Sequence, residues 1–291
     1  MLLKHRFEFI FFIFFGKLLT LFGFTSIKYT SKVITYIFFY LLRIRRDVVI
    51  KNISTAFPSL SQKELIKAAY NNYHSVGITF LEIFLLPSLT KEKIKSHFNF
   101  SGLEIINEKL KEGKGIILLT AHFGNWEFGA IGVGLYLEQK INVLVKAQRN
   151  PFVANWLLSM REKFGNNQIP LGISVKEIFK ALKNNEVVGV VGDQRGPRKG
   201  IKVNYFGKQT YTFSGTAAIA LKTKSPVLVM MIFRNSTGNY ETKIDEIQLE
   251  EFIGSKEEKI VQFNQKYMNI LEKYVKQYPE QWFWMHNIWK Y

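Results

Sequence analysis

The pattern of apolar and polar positions changes twice along this chain. From Phe9 to Gly16 the residues carry no charge. Lys17 interrupts, and Leu18 to Ile27 is uncharged again. Together these segments approach the roughly 20 residues that span a bilayer. A second aromatic-rich run, Val33 to Leu42, ends in Arg43, Arg45 and Arg46. From Asp47 to Thr90 the spacing is helical. Ser61-Gln-Lys-Glu64 is a capping box opening a helix toward Tyr73, and Pro87 stops the apolar segment Phe80 to Leu86. From Phe98 short apolar runs alternate with amphipathic ones. They predict strands at Ile116–Thr120, Ile141–Lys146, Val187–Gly192, Val227–Phe233 and Tyr240–Ile247. They predict helices at Ile105–Glu112, Trp126–Glu138, Phe152–Phe164, Val175–Asn184, Ser214–Lys224 and Lys256–Gln277. Such alternation argues for an α/β sheet flanked by helices. No repeat, low-complexity segment or Pro/Gly/Ser-rich linker divides the chain, so one catalytic domain, 47–291, carries an N-terminal extension, 1–46.

Charge sharpens the reading of that extension. Of the 291 residues 40 are Lys or Arg against 23 Asp or Glu, a net charge of +17, which calls for anionic neighbours. Residues 1–60 hold nine basic and two acidic residues, a net +7 suited to an anionic leaflet. A cleaved signal peptide is disfavoured, because there is no small-residue cleavage site and apolar residues continue beyond it. A spanning anchor, a pair of interfacial amphipathic helices and a buried helical hairpin remain. Positive charge is denser after Phe24 than before Phe9, so a spanning segment would leave the main body in the cytoplasm. Nucleic-acid binding fits the charge alone: the lysines are scattered, and no RNA-binding motif accompanies them. The chain has no cysteine, which removes disulfides, cysteine nucleophiles and thiolate metal sites.

The chemistry concentrates in Gly115-Ile-Ile-Leu-Leu-Thr-Ala-His-Phe-Gly-Asn-Trp-Glu127. An apolar strand ends in His122. Gly124 permits a tight turn, and Asn125 caps a helix beginning with Trp126 and Glu127. His122 therefore sits at the carboxyl end of a strand, where open α/β sheets bind ligands. A Glu127 folded back toward the ring would accept its N–H and favour the imidazolium, which equips His122 as a general base. The plainer alternative is a strand-end histidine with Glu127 favouring a helix N-terminus. Two ligands at this spacing do not make a metal site. His74 and His97 lack a paired carboxylate and read as packing or surface residues. The loop Gly192-Asp-Gln-Arg-Gly-Pro-Arg-Lys-Gly200 also follows a strand, so it is expected to open on the same sheet edge. Arg195, Arg198 and Lys199 make it basic, suited to phosphate or an acidic protein, whereas Asp193 reads as structural or as orienting an arginine. Trp282, Phe283, Trp284 and Trp289 read as packing, with membrane seating as a second role. Trp282 and Trp284 at spacing two suggest an extended segment with both on one face, and His286 reads as packing.

Ala-His-Phe-Gly-Asn-Trp-Glu resembles the H-x4-[DE] block of glycerolipid-type acyltransferases, and more specifically of the lipid A biosynthesis acyltransferases. Arg149-Asn-Pro151 and Arg161 before Phe164-Gly165 are similar to that family's central blocks. Gly192-Asp-Gln194 followed by Phe206-Gly207 resembles its aspartate–glutamine block, and Pro279 to His286 its C-terminal signature. One departure stands out. The family commonly has two arginines after the last histidine, where this chain has Asn287 and Ile288.

The resemblance implies a glycerol-phosphate-acyltransferase-like fold with a mixed sheet and an enzyme of the bacterial inner membrane facing the cytoplasm. It implies O-acyl transfer from an acyl carrier protein thioester to a hydroxyl of a lipid A precursor, with no other cofactor and no metal. His122 would be the base and Glu127 its partner. Gly124, Asn125, Arg149, Arg161, Asp193, Gln194 and Arg195 would line the substrates. Another glycolipid, an aminolipid or a lysophospholipid is the alternative acceptor. The non-enzyme alternatives are a membrane scaffold or a basic nucleic-acid-binding protein.

Overall fold

The computed structural model describes residues 2–146, 148–171 and 174–290. The chain opens with α1 (Leu2–Leu19) and α2 (Phe24–Tyr36), which continues as a π-helical turn over Ile37–Leu41. The two are bent by 116° at a break that includes Gly23, whose φ is +63°. Among the described residues no single helix is long and apolar enough to cross a membrane; there only the bent pair meets that test together. The apolar N-terminus is thus two packed helices rather than one continuous span. Phe12 of α1 packs on Phe84 and Trp156, with ring centroids 4.5 and 5.7 Å away. Phe7, Phe11, Phe14 and Leu18 lie along the opposite side, all exposed.

The helices α3 (Arg46–Ala56) and α4 (Gln62–Leu85) follow. Both hydrogen bonds of the Ser61–Glu64 capping box form. The helix does not stop near Tyr73 but runs on to Leu85, since nothing breaks it before Pro87 in the 3-10 turn Leu86–Ser88. Next come α5 (Lys91–Lys95), β1 (Phe98–Asn99), α6 (Glu104–Leu110), β2 (Ile116–Thr120), α7 (Trp126–Leu137) and β3 (Ile141–Val145). Then follow α8 (Pro151–Lys163), β4 (Asn167–Pro170), α9 (Ser174–Lys183), β5 (Val187–Val191), β6 (Ile201–Tyr205) and β7 (Lys208–Thr212). The chain closes with α10 (Gly215–Thr223), β8 (Val227–Arg234), β9 (Tyr240–Ile247), α11 (Lys256–Gln277) and a 3-10 turn at Pro279–Gln281.

Seven strands form one mixed sheet in the order β1-β9-β8-β2-β5-β3-β4. Every pair is parallel except β8 with β9. The strands β6 and β7 make a separate antiparallel hairpin whose two turn residues, Phe206 and Gly207, both have positive φ. Both faces of the sheet are covered. Ile117, Leu119, Val188 and Val229 face one cluster with α9 and α11, while Ile116, Leu118, Val187 and Leu228 face the other with α7. Each such buried side chain contributes about 1.5–3 kcal/mol. Burial on both faces explains why β2 and β5 read as unbroken apolar runs. The helix α4 serves both layers, giving Leu65, Ala69 and Tyr73 to the first and Leu81, Ile83 and Leu85 to the second.

Candidate active site

The register of β2 and β5 builds the site. Thr120 is level with Val191, the last residue of each strand. Two residues beyond each stand His122 and Asp193, so the two loops do open on one sheet edge. His122 Nδ1 lies 2.7 Å from Asp193 Oδ1, and the His122 backbone N–H donates to Asp193 Oδ2 at 3.0 Å. That oxygen also receives the indole N–H of Trp282 at 2.8 Å. An ionised carboxylate only accepts, so Nδ1 carries the proton and Nε2 holds the lone pair of the neutral ring. The ring rests against Trp126 and Phe283, with centroids 4.9 and 6.1 Å away.

Two competing effects set the charge of this pair. Burial works against the imidazolium, but the charge and hydrogen bond of Asp193, with help from the charge of Glu127, more than offset it. The net result raises the His122 pKa above its ordinary value. Burial likewise opposes the carboxylate, yet His122, Trp282 and the His122 backbone hold the Asp193 pKa below the usual range.

Glu127 is placed differently from the sequence expectation. It accepts no hydrogen bond from His122. Arg161 of α8 grips it bidentately, through Nε at 2.8 Å and through Nη2. Arg161 Nη1 also donates to Gln168 at 2.8 Å. The reason is local: Asn125 caps α7, which leaves Glu127 in the first turn toward α8, while the β5 register delivers Asp193 to the imidazole. Glu127 therefore acts on the ring through space, and Arg161 joins α8 to α7. Asp193 is correspondingly not paired with an arginine.

Gly124 has φ +56°, and a Cβ there would stand 2.1 Å from the Ile232 carbonyl oxygen. Its N–H donates to Gln281 O at 2.9 Å. Asn125 is buried and caps Phe128 N–H at 3.0 Å. Arg149 and Gln194 are exposed, and no hydrogen bond or ion pair among the described residues joins them to His122. Arg195 turns back on the chain. Its backbone N–H donates to His286 Nε2 at 2.9 Å, and its guanidinium donates to Asn287 O. Burial, partly opposed by Asp193, lowers the His286 pKa to about 4, so this ring accepts as a neutral group. Ile288 is buried in the core, and the Asn287 carbonyl accepts from Arg195. Trp282, Trp284 and Trp289 are buried, and Trp282 and Trp284 meet edge to face at 4.5 Å. Packing accounts for the last two. The contact of Trp282 with Asp193 had no signal in the aromatic pattern.

The family model of bacterial lipid A biosynthesis acyltransferases matches residues 2–291. The lipid A biosynthesis lauroyltransferase of Escherichia coli K12 is 26% identical over 249 residues, 84% of this chain and 79% of that protein. The lipid A biosynthesis palmitoleoyltransferase of the same organism is 23% identical over 252 residues, 86% of this chain and 80% of that protein. A phosphatidylinositol mannoside acyltransferase of Mycobacterium tuberculosis is 26% identical over 163 residues, 53% of this chain and 50% of that protein. Matched along nearly its whole length, the chain belongs to the bacterial lipid A biosynthesis acyltransferase family.

Proposed function

We propose that this acyltransferase moves a fatty acyl chain from an acyl carrier protein thioester to a hydroxyl of a lipid A precursor, a late acylation, with His122 as general base. The His122–Asp193 pair at the carboxyl edge of the sheet is the observation that carries this reading. Nε2 takes the proton of the acceptor hydroxyl as its oxygen attacks the thioester carbonyl. A C–O bond forms and the carbonyl becomes an oxyanion. The C–S bond then breaks, and the imidazolium returns the proton to the departing thiolate. The products are an ester and a free carrier thiol. Asp193 holds the tautomer and stabilises the imidazolium between the two proton transfers. No covalent acyl-enzyme is needed, because a thioester is already activated.

Several groups near the base are already engaged. Arg161 is paired with Glu127, and Gly124 N–H donates to Gln281. The first turn of α7 remains, where Trp126 touches the imidazole ring and the helix presents N–H groups and a positive dipole end. In this reading those N–H groups receive the oxyanion. Glu127, clamped by Arg161, fixes that turn. The exposed apolar side of α1 and the net +7 of residues 1–60 support a seat on the cytoplasmic face of the inner membrane, beside a lipid acceptor.

The decisive experiment is mass spectrometry of total lipids from cells with and without the protein. A one-chain mass difference on lipid A is the expected result, and it is absent from cells carrying His122→Ala. A difference on another glycolipid keeps the chemistry and changes the acceptor. No change in any acylated lipid overturns the proposal.

A further inference from the structure

Behind the turn that carries His122 lies a buried polar cluster that the proton transfer does not use. Its centre is Glu82 of α4, 3% exposed, set in the apolar run Phe80 to Leu86. Glu82 Oε2 accepts from Asn125 Nδ2 at 3.0 Å, from Arg234 Nη2 at 3.1 Å and from the Tyr240 hydroxyl. Arg234 Nη2 also donates to Thr79 Oγ1 at 3.1 Å, and its Nε to the Tyr240 hydroxyl at 3.0 Å. The Thr79 hydroxyl in turn donates to the Gly124 carbonyl at 2.8 Å. Topology explains the convergence. Arg234 ends β8 and Tyr240 begins the antiparallel β9, so both lie on the edge where β2 delivers its turn. The middle of α4 crosses that edge.

Stability alone does not account for such a cluster. An apolar group of similar volume in place of a buried ion pair is often neutral or stabilising. What apolar groups lack is the ability to hold the polar atoms of a turn. Here the carbonyl of Gly124 and the amide of Asn125, the two residues after Phe123, are each fixed by one member of the cluster. Asn125 simultaneously caps α7, so the same anchor sets the start of the helix beside the imidazole.

We infer that Glu82 and Arg234, acting through Thr79 and Asn125, are positioning residues for acyl transfer: they set the direction in which His122 leaves β2 and the placement of the α7 N-terminus next to it. The inference rests on the reading of His122 as the base.

The test uses the full-length enzyme in detergent or vesicles. Glu82→Gln keeps the volume and removes the charge. Thr79→Val removes the hydroxyl that holds Gly124, and Thr79→Ser restores it. The expected result is a tenfold or greater fall in kcat for Glu82→Gln and Thr79→Val, with KM for donor and acceptor within twofold of wild type. Thr79→Ser keeps most of the wild-type kcat. The apparent pKa of the rising pH limb stays where Asp193 sets it, which separates misplacement from loss of the base. Where Glu82→Gln fails to fold, the Thr79→Val and Thr79→Ser pair decides. A second reading needs no substrate: the imidazole 15N signals of His122 in histidine-labelled protein, assigned by their loss in His122→Gln. They shift or broaden in Thr79→Val and match wild type in Thr79→Ser. Wild-type kcat in folded Glu82→Gln or Thr79→Val overturns the inference, as do unchanged imidazole signals in Thr79→Val. Absence of acyl transfer by the wild type itself would sink the proposed function, and the imidazole signals would still decide the positioning.

Discussion

Asp193 holds His122 by two atoms at once, the ring through Nδ1 at 2.7 Å and the backbone N–H at 3.0 Å. One carboxylate thus sets both the tautomer of the imidazole and the path of the chain carrying it. The pH dependence follows. With the His122 pKa raised above the ordinary 6.5, the neutral base becomes available only as pH rises through that higher value. The kcat/KM profile of the wild type therefore has a rising limb with an apparent pKa above 6.5. In Asp193→Asn burial is no longer opposed by that charge, and the apparent pKa moves down. Activity still falls, by about 10²–10⁴-fold, because the imidazolium formed during the reaction loses its counter-charge. Stability has its own sign. The raised imidazole pKa contributes stability that is complete below 6.5 and fades as pH rises through the folded value. The lowered Asp193 pKa contributes stability that is present above 3.8 and lost as pH falls through its folded value. Denaturation curves should therefore show the largest deficit of Asp193→Asn between those limits. A rising limb that stays in place in the variant would contradict the pairing.

Glu127 and Arg161 form the second buried pair of the site, and their partnership is with each other. Removing either side chain leaves the other charged and buried, so Glu127→Ala and Arg161→Ala each cost about 3–5 kcal/mol. The double-mutant cycle between them is expected to show a coupling of about 1–3 kcal/mol, measured by denaturant unfolding. Glu127→Gln should lower the apparent pKa of the imidazole less than Asp193→Asn does, since the charge of Glu127 is the smallest of the effects acting on the ring. A larger shift in Glu127→Gln than in Asp193→Asn would return Glu127 to the role of direct partner.

The central strands and every helix from Glu104 onward were legible because their patterns were strong. Burial on both faces gave β2, β5 and β8 unbroken apolar runs. The hairpin of β6 and β7 was missed although Ile201-Lys-Val-Asn-Tyr205 alternates, because the neighbouring glycine, proline and basic residues suggested a loop. The short β1 and β4 are held by their sheet neighbours rather than by a pattern of their own. His122 was legible as a histidine just beyond a strand end. Its partner was not, because proximity in sequence favoured Glu127 while the pairing of β2 with β5, separated by some 70 residues, decides for Asp193. Glu82 left one sign, a lone carboxylate inside an apolar run, and Arg234 another at the end of β8. Neither says what it faces until the sheet order is known.

Two glycines with positive φ separate conformational strain from steric exclusion. Gly207, at the tip of the β6–β7 hairpin, has open space where a Cβ would stand. Gly207→Ala should cost only the left-handed backbone penalty, about 1–2 kcal/mol, and leave activity intact. Gly124→Ala adds a Cβ 2.1 Å from the Ile232 carbonyl, so the turn has to move. Its cost should exceed that of Gly207→Ala, and kcat should fall even at temperatures where the variant is fully folded. Thermal unfolding and initial rates on both variants check this. Equal losses of stability with full activity in both would show that the turn tolerates displacement.

The outward side of α1 supplies the last prediction. Phe7, Phe11 and Phe14 lie on one stripe at helical spacing and are 65%, 65% and 60% exposed, while Phe12 on the other side is packed against Phe84. Full burial of such a ring is worth about 1.5–3 kcal/mol. Partial insertion of three rings therefore carries enough energy to hold the protein on a bilayer, with nine basic residues in 1–60 adding attraction to anionic lipid. Replacing all three with Gln should lower sedimentation with anionic vesicles by tenfold or more. The melting temperature should stay close to wild type, because the rings contribute little to the core. Raising salt should weaken binding of the wild type by screening the basic residues, leaving a remainder that the triple variant lacks. Undiminished sedimentation of the triple variant at high salt would place the membrane-seating surface elsewhere on the protein.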